Sequence, residues 1–278
     1  MTFALHSKKI TLFDIFLCLI QQRQLVLQMT RREVISRYRG SLLGLLWSFV
    51  TPLLMLAIYT FVFSVVFKVR LEHIDSLDNK YEFALLLFAG LIVFNLFSEC
   101  ISRAPSLVLN NTNYVKRVVF PLEILPWVTL GAAIFHACIS YFVLFVFLIA
   151  AGLSMSWTVL LLPIILIPFL FLIMGLSWLL ASIGVFMRDI SQFIGLVLTM
   201  LLFMSPIFYP ASALPESVRD YLYLNPLTFI IEQSRAVILF GNLPDWKGII
   251  IYFIIGILTA WAGLLWFQKT RKGFADVL

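Results

Sequence analysis

Apolar and charged residues fall in long separate blocks along this chain. The sharpest boundary lies where Arg31-Arg32-Glu33-Val34-Ile35-Ser36-Arg37-Tyr38-Arg39 meets residues 42–67, which carry no charge. Twenty-six helical residues extend roughly 39 Å at about 1.5 Å each, enough to cross a bilayer with tilt. Five more apolar stretches follow at 83–102, 125–153, 157–187, 190–209 and 248–267. The pattern predicts an all-α integral membrane protein with six transmembrane helices in a single domain, 1–278. Pro52 should kink the first span, and Pro163 and Pro168 should bend the fourth. Gly40 and Gly44 form a Gly-x-x-x-Gly pair that lets another helix approach closely.

Residues 10–39 read as an amphipathic helix lying in the membrane interface. Ile20, Leu27, Val34 and Tyr38 recur at helical spacing, with arginines left for headgroups or an acidic partner. Residues 105–121 form a loop between the second and third spans. Residues 210–247 hold two short segments, 217–224 and 227–240; the second is apolar yet carries Glu232 and Arg235, and is too short to cross and suited to a re-entrant or interfacial helix.

Composition agrees: 62% of the 278 residues are hydrophobic and 12% charged, about half the charged share of a soluble domain. The net charge of +6 flanks apolar spans, so it reads as a topology signal and not as a nucleic-acid surface. Fourteen of the 20 Lys and Arg fall on the side of the N-terminus, and the other side carries eight acidic residues against six basic ones. Both termini are therefore expected in the cytosol. Lys8 and Lys9 precede an apolar stretch, but Asp14 interrupts it and no Ala-x-Ala follows, so no cleaved signal is expected. Cys18, Cys100 and Cys138 lie in apolar runs without metal spacing, and the three histidines are scattered.

Catalytic motifs are missing from the sequence. It has no Gly-Lys dipeptide and hence no P-loop, and it lacks His-Glu-x-x-His and Gly-x-Ser-x-Gly. Among ionisable residues within spans, Glu99 is expected to pair with Arg103 at i+4 on its own helix. Glu123 is expected to sit at a helix start, and His136 to be a packing residue. Trp47, Tyr59 and Phe63 lie within the first span, where aromatic faces suit sugars; core packing is the equal alternative.

Five motifs in order carry a resemblance. They are Arg37-Tyr38-Arg39-Gly40-Ser41-Leu42-Leu43-Gly44-Leu45-Leu46-Trp47 ending in Pro52; Asn113-Tyr114-Val115-Lys116-Arg117-Val118-Val119-Phe120-Pro121 with Ile124-Leu125-Pro126; Phe186-Met187-Arg188-Asp189-Ile190; Ser205-Pro206-Ile207-Phe208-Tyr209-Pro210; and Leu224-Asn225-Pro226-Leu227. From about residue 20 onward the chain resembles the permease subunits of bacterial ABC transporters that export polysaccharides. The resemblance implies a homodimer in the inner membrane and two copies of a separate ATPase that binds ATP and Mg, with no cofactor on this chain. It implies ATPase contacts at Arg31, Arg32, Asn113, Tyr114, Lys116, Arg117, Phe120 and Pro121, and an external gate within 210–247. The substrate implied is an undecaprenyl-diphosphate-linked glycan, O-antigen first, then capsular polysaccharide or teichoic acid. Its headgroup would dock at Arg37, Arg39 or Arg103, and Trp47, Tyr59 and Phe63 are candidates for the channel wall. The rival readings are a small-molecule or lipid permease of the same class, and a membrane scaffold or assembly enzyme without ATP coupling.

Overall fold

The computed structural model describes residues 19–66, 82–115, 120–153, 155–209, 221–222 and 224–278. Among them every regular element is helical. The principal helices are α1 (Arg23–Tyr38), α2 (Trp47–Thr60), α3 (Glu82–Arg103), α4 (Leu125–Ala150), α5 (Leu162–Phe186), α6 (Ile190–Met204), α7 (Pro226–Ile238) and α8 (Trp246–Thr270). Five helical stretches are long and apolar enough to cross a membrane: Gly44–Phe63, Phe83–Ser106, Leu122–Ala150, Trp157–Phe186 and Trp246–Val277. The expected span at 190–209 is the shorter α6, which at about 1.5 Å per residue reaches roughly 22 Å.

The helices are not equal in burial. The apolar window of α3 is 83% buried and that of the first span 11%, so α3 is the centre of the bundle and α2 lies at its edge. α5 and α8 pack most closely. A Cβ on Gly175 would collide with the Thr259 carbonyl, and one on Gly263 with the Gly175 backbone. Small residues at those positions let the two backbones touch, as expected where lipid supplies no hydrophobic drive between helices. Trp178, Phe169, Phe267 and Phe274 fill the core around this contact.

Several local expectations change. Gly40 and Gly44 have φ of 86° and 53°, with nothing within 4 Å of an added Cβ. They turn the chain from α1 into the first span through a left-handed conformation open to glycine, and they are not a helix-packing pair. Pro52 lies inside α2, whose helical assignment continues through it, and a π-helical turn follows at Phe61–Val66. Pro163 sits in the first turn of α5, where its missing N–H needs no partner, and only Pro168 is interior.

α1 lies against α4, with Val26 and Val34 buried and Thr30 pressed onto Gly131. Ile20 and Leu27, whose helical spacing with Val34 and Tyr38 predicts an interfacial face, are 60% and 72% exposed on this chain. At the opposite end of the bundle α7 has 13 residues, too few to cross. Asn225 caps it by accepting from Leu227 N at 3.0 Å, and donates to Ser205 Oγ at the end of α6 at 2.9 Å. Most of the segment 217–224 lies outside the described residues.

Candidate functional site

A cleft of about 640 Å³ opens between the end of α1 and helices α2, α3, α4 and α6. Its polar wall comes chiefly from α3. Asn95, Ser98, Glu99 and Ser102 follow one another at helical spacing and line the cleft, while Phe97, Cys100 and Ile101 between them are buried away from it. A central helix thus turns its only polar stripe to this opening. Thr51 and Tyr59 of α2 and Ser140 of α4 face it from the other sides.

The end of the cleft next to α1 is charged. Arg37 Nη1 lies 2.5 Å from Glu99 Oε1, and His136 Nδ1 lies 3.1 Å from both Arg37 Nη1 and Glu99 Oε2. Tyr38 Oη is 3.2 Å from His136 Nε2, with the rings edge to face at 6.1 Å. Burial pushes the Tyr38 phenol up from its ordinary value, so it carries a proton at neutral pH. The imidazole thus lies between the Tyr38 hydroxyl and the Arg37–Glu99 pair. Arg103 forms its ion pair with Glu33 of α1 at 3.0 Å. The expected Glu99–Arg103 bracket within one helix is thus replaced by pairs between helices, and His136 belongs to a polar network and is not a mere packing residue.

A second polar node anchors the start of α4. Arg271, just beyond α8, donates to Glu123 Oε2 at 2.8 Å and to the Phe120 carbonyl at 2.8 Å. The Trp178 indole donates to the Glu123 carbonyl at 3.0 Å. Glu123 thus has a specific cationic partner beyond the helix-start role expected for it. Tyr114 stacks on Phe120, centroids 4.2 Å apart and planes at 10°, closing the base of the loop that begins at Pro105.

The other residues singled out from sequence are placed as follows. Arg31, Arg32, Arg39 and Asn113 are exposed, and Pro121 is partly buried. Lys116 and Arg117 lie outside the described residues. Arg37 and Arg103 line the cleft; Arg39, Trp47 and Phe63 do not. Trp47 is 38% exposed, and Phe63 packs on Phe83 with centroids 5.0 Å apart. Glu33, Asn95, Glu99 and His136 had no place in the expected site. The signal for two of them was present: Glu33-x-x-x-Arg37 and Glu99-x-x-x-Arg103 share a spacing and a charge order that allow crossed pairing. Among the described residues no group of His, Cys, Asp or Glu is placed to hold a metal.

The chain is thus a multi-span helical bundle with a polar cleft between its helices, and the ABC-2 type transporter family model matches residues 24–239. The chain belongs to the ABC-2 transporter family. It is 29% identical over 260 residues to the O-antigen export system permease protein RfbA of Myxococcus xanthus, covering 93% of this chain and 96% of that one. The protein of the same name from Klebsiella pneumoniae is 28% identical over 256 residues, 91% and 95% of the two chains. The polysialic acid transport protein KpsM of Escherichia coli is 23% identical over 252 residues, 87% and 91%.

Proposed function

We propose that this chain is the permease subunit of an ATP-driven exporter moving an undecaprenyl-diphosphate-linked polysaccharide, O-antigen first, out of the cytosol. The observation that carries this reading is the similarity to O-antigen export permeases along nearly the whole of both chains. The cleft adds physical support: cationic groups at its end next to α1 suit a diphosphate, and the stripe from Ser102 to Asn95 offers hydrogen-bonding groups to hydroxyl-rich sugars. The similarity to KpsM favours a capsular polysaccharide as the second reading.

In this reading α6 with the residues after it completes a sixth crossing, two subunits form a homodimer in the inner membrane, and both termini face the cytosol. ATP hydrolysis belongs to two copies of a separate subunit, which meet Arg31 and Arg32 on α1 and the loop from Asn113 to Pro121. α7 and the segment before it form the external gate. Arg37, Arg39 and Arg103 receive the lipid headgroup, and Tyr59 is the first-span aromatic best placed to meet sugar, with Trp47 and Phe63 the further candidates on that span. Deleting the gene and analysing lipid-linked glycans tests the proposal. Cytosolic accumulation of undecaprenyl-linked polymer is the expected result, and absence of polymer altogether would point to synthesis instead.

A further inference from the structure

α1 and α3 are fastened by two ion pairs of opposite sense. α1 carries Glu33 and, one turn later, Arg37; α3 carries Glu99 and, one turn later, Arg103. Each glutamate meets the arginine of the other helix, at 2.5 Å for Arg37–Glu99 and 3.0 Å for Arg103–Glu33. Both arginines line the cleft and remain open to it, with side chains 47% and 38% exposed. Their carboxylates are each provided for if the arginine leaves. Glu99 keeps His136 at 3.1 Å, and Glu33, 38% exposed, returns to water.

This geometry suits exchange. Guanidinium groups bind phosphate oxygens in paired, charge-assisted hydrogen bonds, stronger than those to neutral acceptors. A ligand that brings several such oxygens in one rigid group satisfies both arginines at once, which two separate carboxylates on two helices cannot do without holding the helices together. We propose that Glu33 and Glu99 are stand-in anions, and that a diphosphate entering the cleft takes Arg37 and Arg103 from them and so unfastens α1 from α3. The proposal rests on the headgroup docking described under Proposed function and adds its consequence. Occupancy of the cleft is converted into freedom of α1, the helix that displays Arg31 and Arg32 on its exposed side.

The test uses the permease with its ATPase partner, purified into lipid nanodiscs, and two probes, undecaprenyl diphosphate and inorganic diphosphate. Replacing a stand-in by its neutral amide should tighten binding: about tenfold for Glu99→Gln and a few-fold for Glu33→Gln. Arg37→Met in the Glu99→Gln background should abolish the gain. Spin labels at exposed Gln28 on α1 and Met187 beyond α5 should report a changed separation when ligand is added. Unchanged or weaker diphosphate binding in both amide variants would overturn the proposal, since a purely structural clasp loses binding when loosened. Glu33, on the surface, keeps the test valid if Glu99→Gln does not fold. Tightening for inorganic diphosphate alone would uphold the exchange and assign it to a soluble polyphosphate anion, removing only the headgroup from the export reading. Accumulation of lipid-linked polymer on gene deletion tests that reading independently.

Discussion

Arg271→Ala should be among the most damaging single changes where the end of α8 meets the start of α4. The guanidinium makes two bonds of 2.8 Å, to the Glu123 carboxylate and to the Phe120 carbonyl. The Glu123 side chain is 6% exposed and that of Arg271 32%. Truncating Arg271 leaves a carboxylate with almost no water, and removing one partner of a buried pair costs about 3–5 kcal/mol. The partial exposure of Arg271 places the expected loss near the lower end, about 3 kcal/mol. Glu123→Gln keeps shape and an acceptor oxygen and removes the charge, so its cost is about 1–2 kcal/mol. The double variant Glu123→Gln/Arg271→Ala has no stranded charge and should fall about 2 kcal/mol short of the summed single effects. Unfolding of the four proteins by SDS in mixed micelles, followed by tryptophan fluorescence, measures the cycle. Single effects that add to within about 0.5 kcal/mol would refute the argument that Arg271 neutralises Glu123.

Other outcomes follow from the same packing. Lys116→Glu with Arg117→Glu should reduce co-purification of the ATPase subunit severalfold on the reading given above; unchanged recovery would remove that loop from the contact. Gly263→Ala should lower the yield of monodisperse protein in size-exclusion chromatography, because the methyl meets the α5 backbone. Overpacking usually costs about 1–3 kcal/mol, and backbone atoms cannot step aside. Gly195→Ala, with nothing within 4 Å of the new methyl, should behave as wild type in the same assay. Asn225→Ala removes both the cap on α7 and the bond to Ser205. It should cost about 1–2 kcal/mol in the SDS titration, and an unchanged midpoint would show that α7 is held by other contacts.

The hydrophobic blocks made the spans legible because a bilayer demands about 20 apolar residues per crossing whatever the tertiary arrangement. The charge boundary at Arg39 marked the end of α1 correctly for the same reason. What the blocks do not encode is which polar group meets which. Glu99 and Arg103 stand four apart, so a local pair satisfied every one-dimensional criterion, yet α1 brings a second Glu–Arg couple alongside and exchanges partners with it. His136 seemed isolated only because its partners are 37 and 98 residues away in sequence. Gly40 and Gly44 show the complementary failure. Spacing of four suggests helix packing, whereas their positive φ values serve a turn that no periodicity reveals.

Arg235 of α7 shows how such an arrangement constrains variation. The residue is 5% exposed, and its guanidinium donates to the carbonyls of Leu86 at 2.8 Å and Ile207 at 2.9 Å, as well as to that of Pro206. All three acceptors belong to the main chain, so exchanging the side chain at 86, 206 or 207 does not delete any of them. A second-site mutation therefore has few ways to reach this joint. Gly90 is one, since a methyl there would lie 2.9 Å from Nη2. In a genetic screen for loosened α7 attachment, positions 90 and 235 should appear beside 225, whereas a substitution at 86, 206 or 207 leaves its carbonyl in place and acts only through side-chain packing.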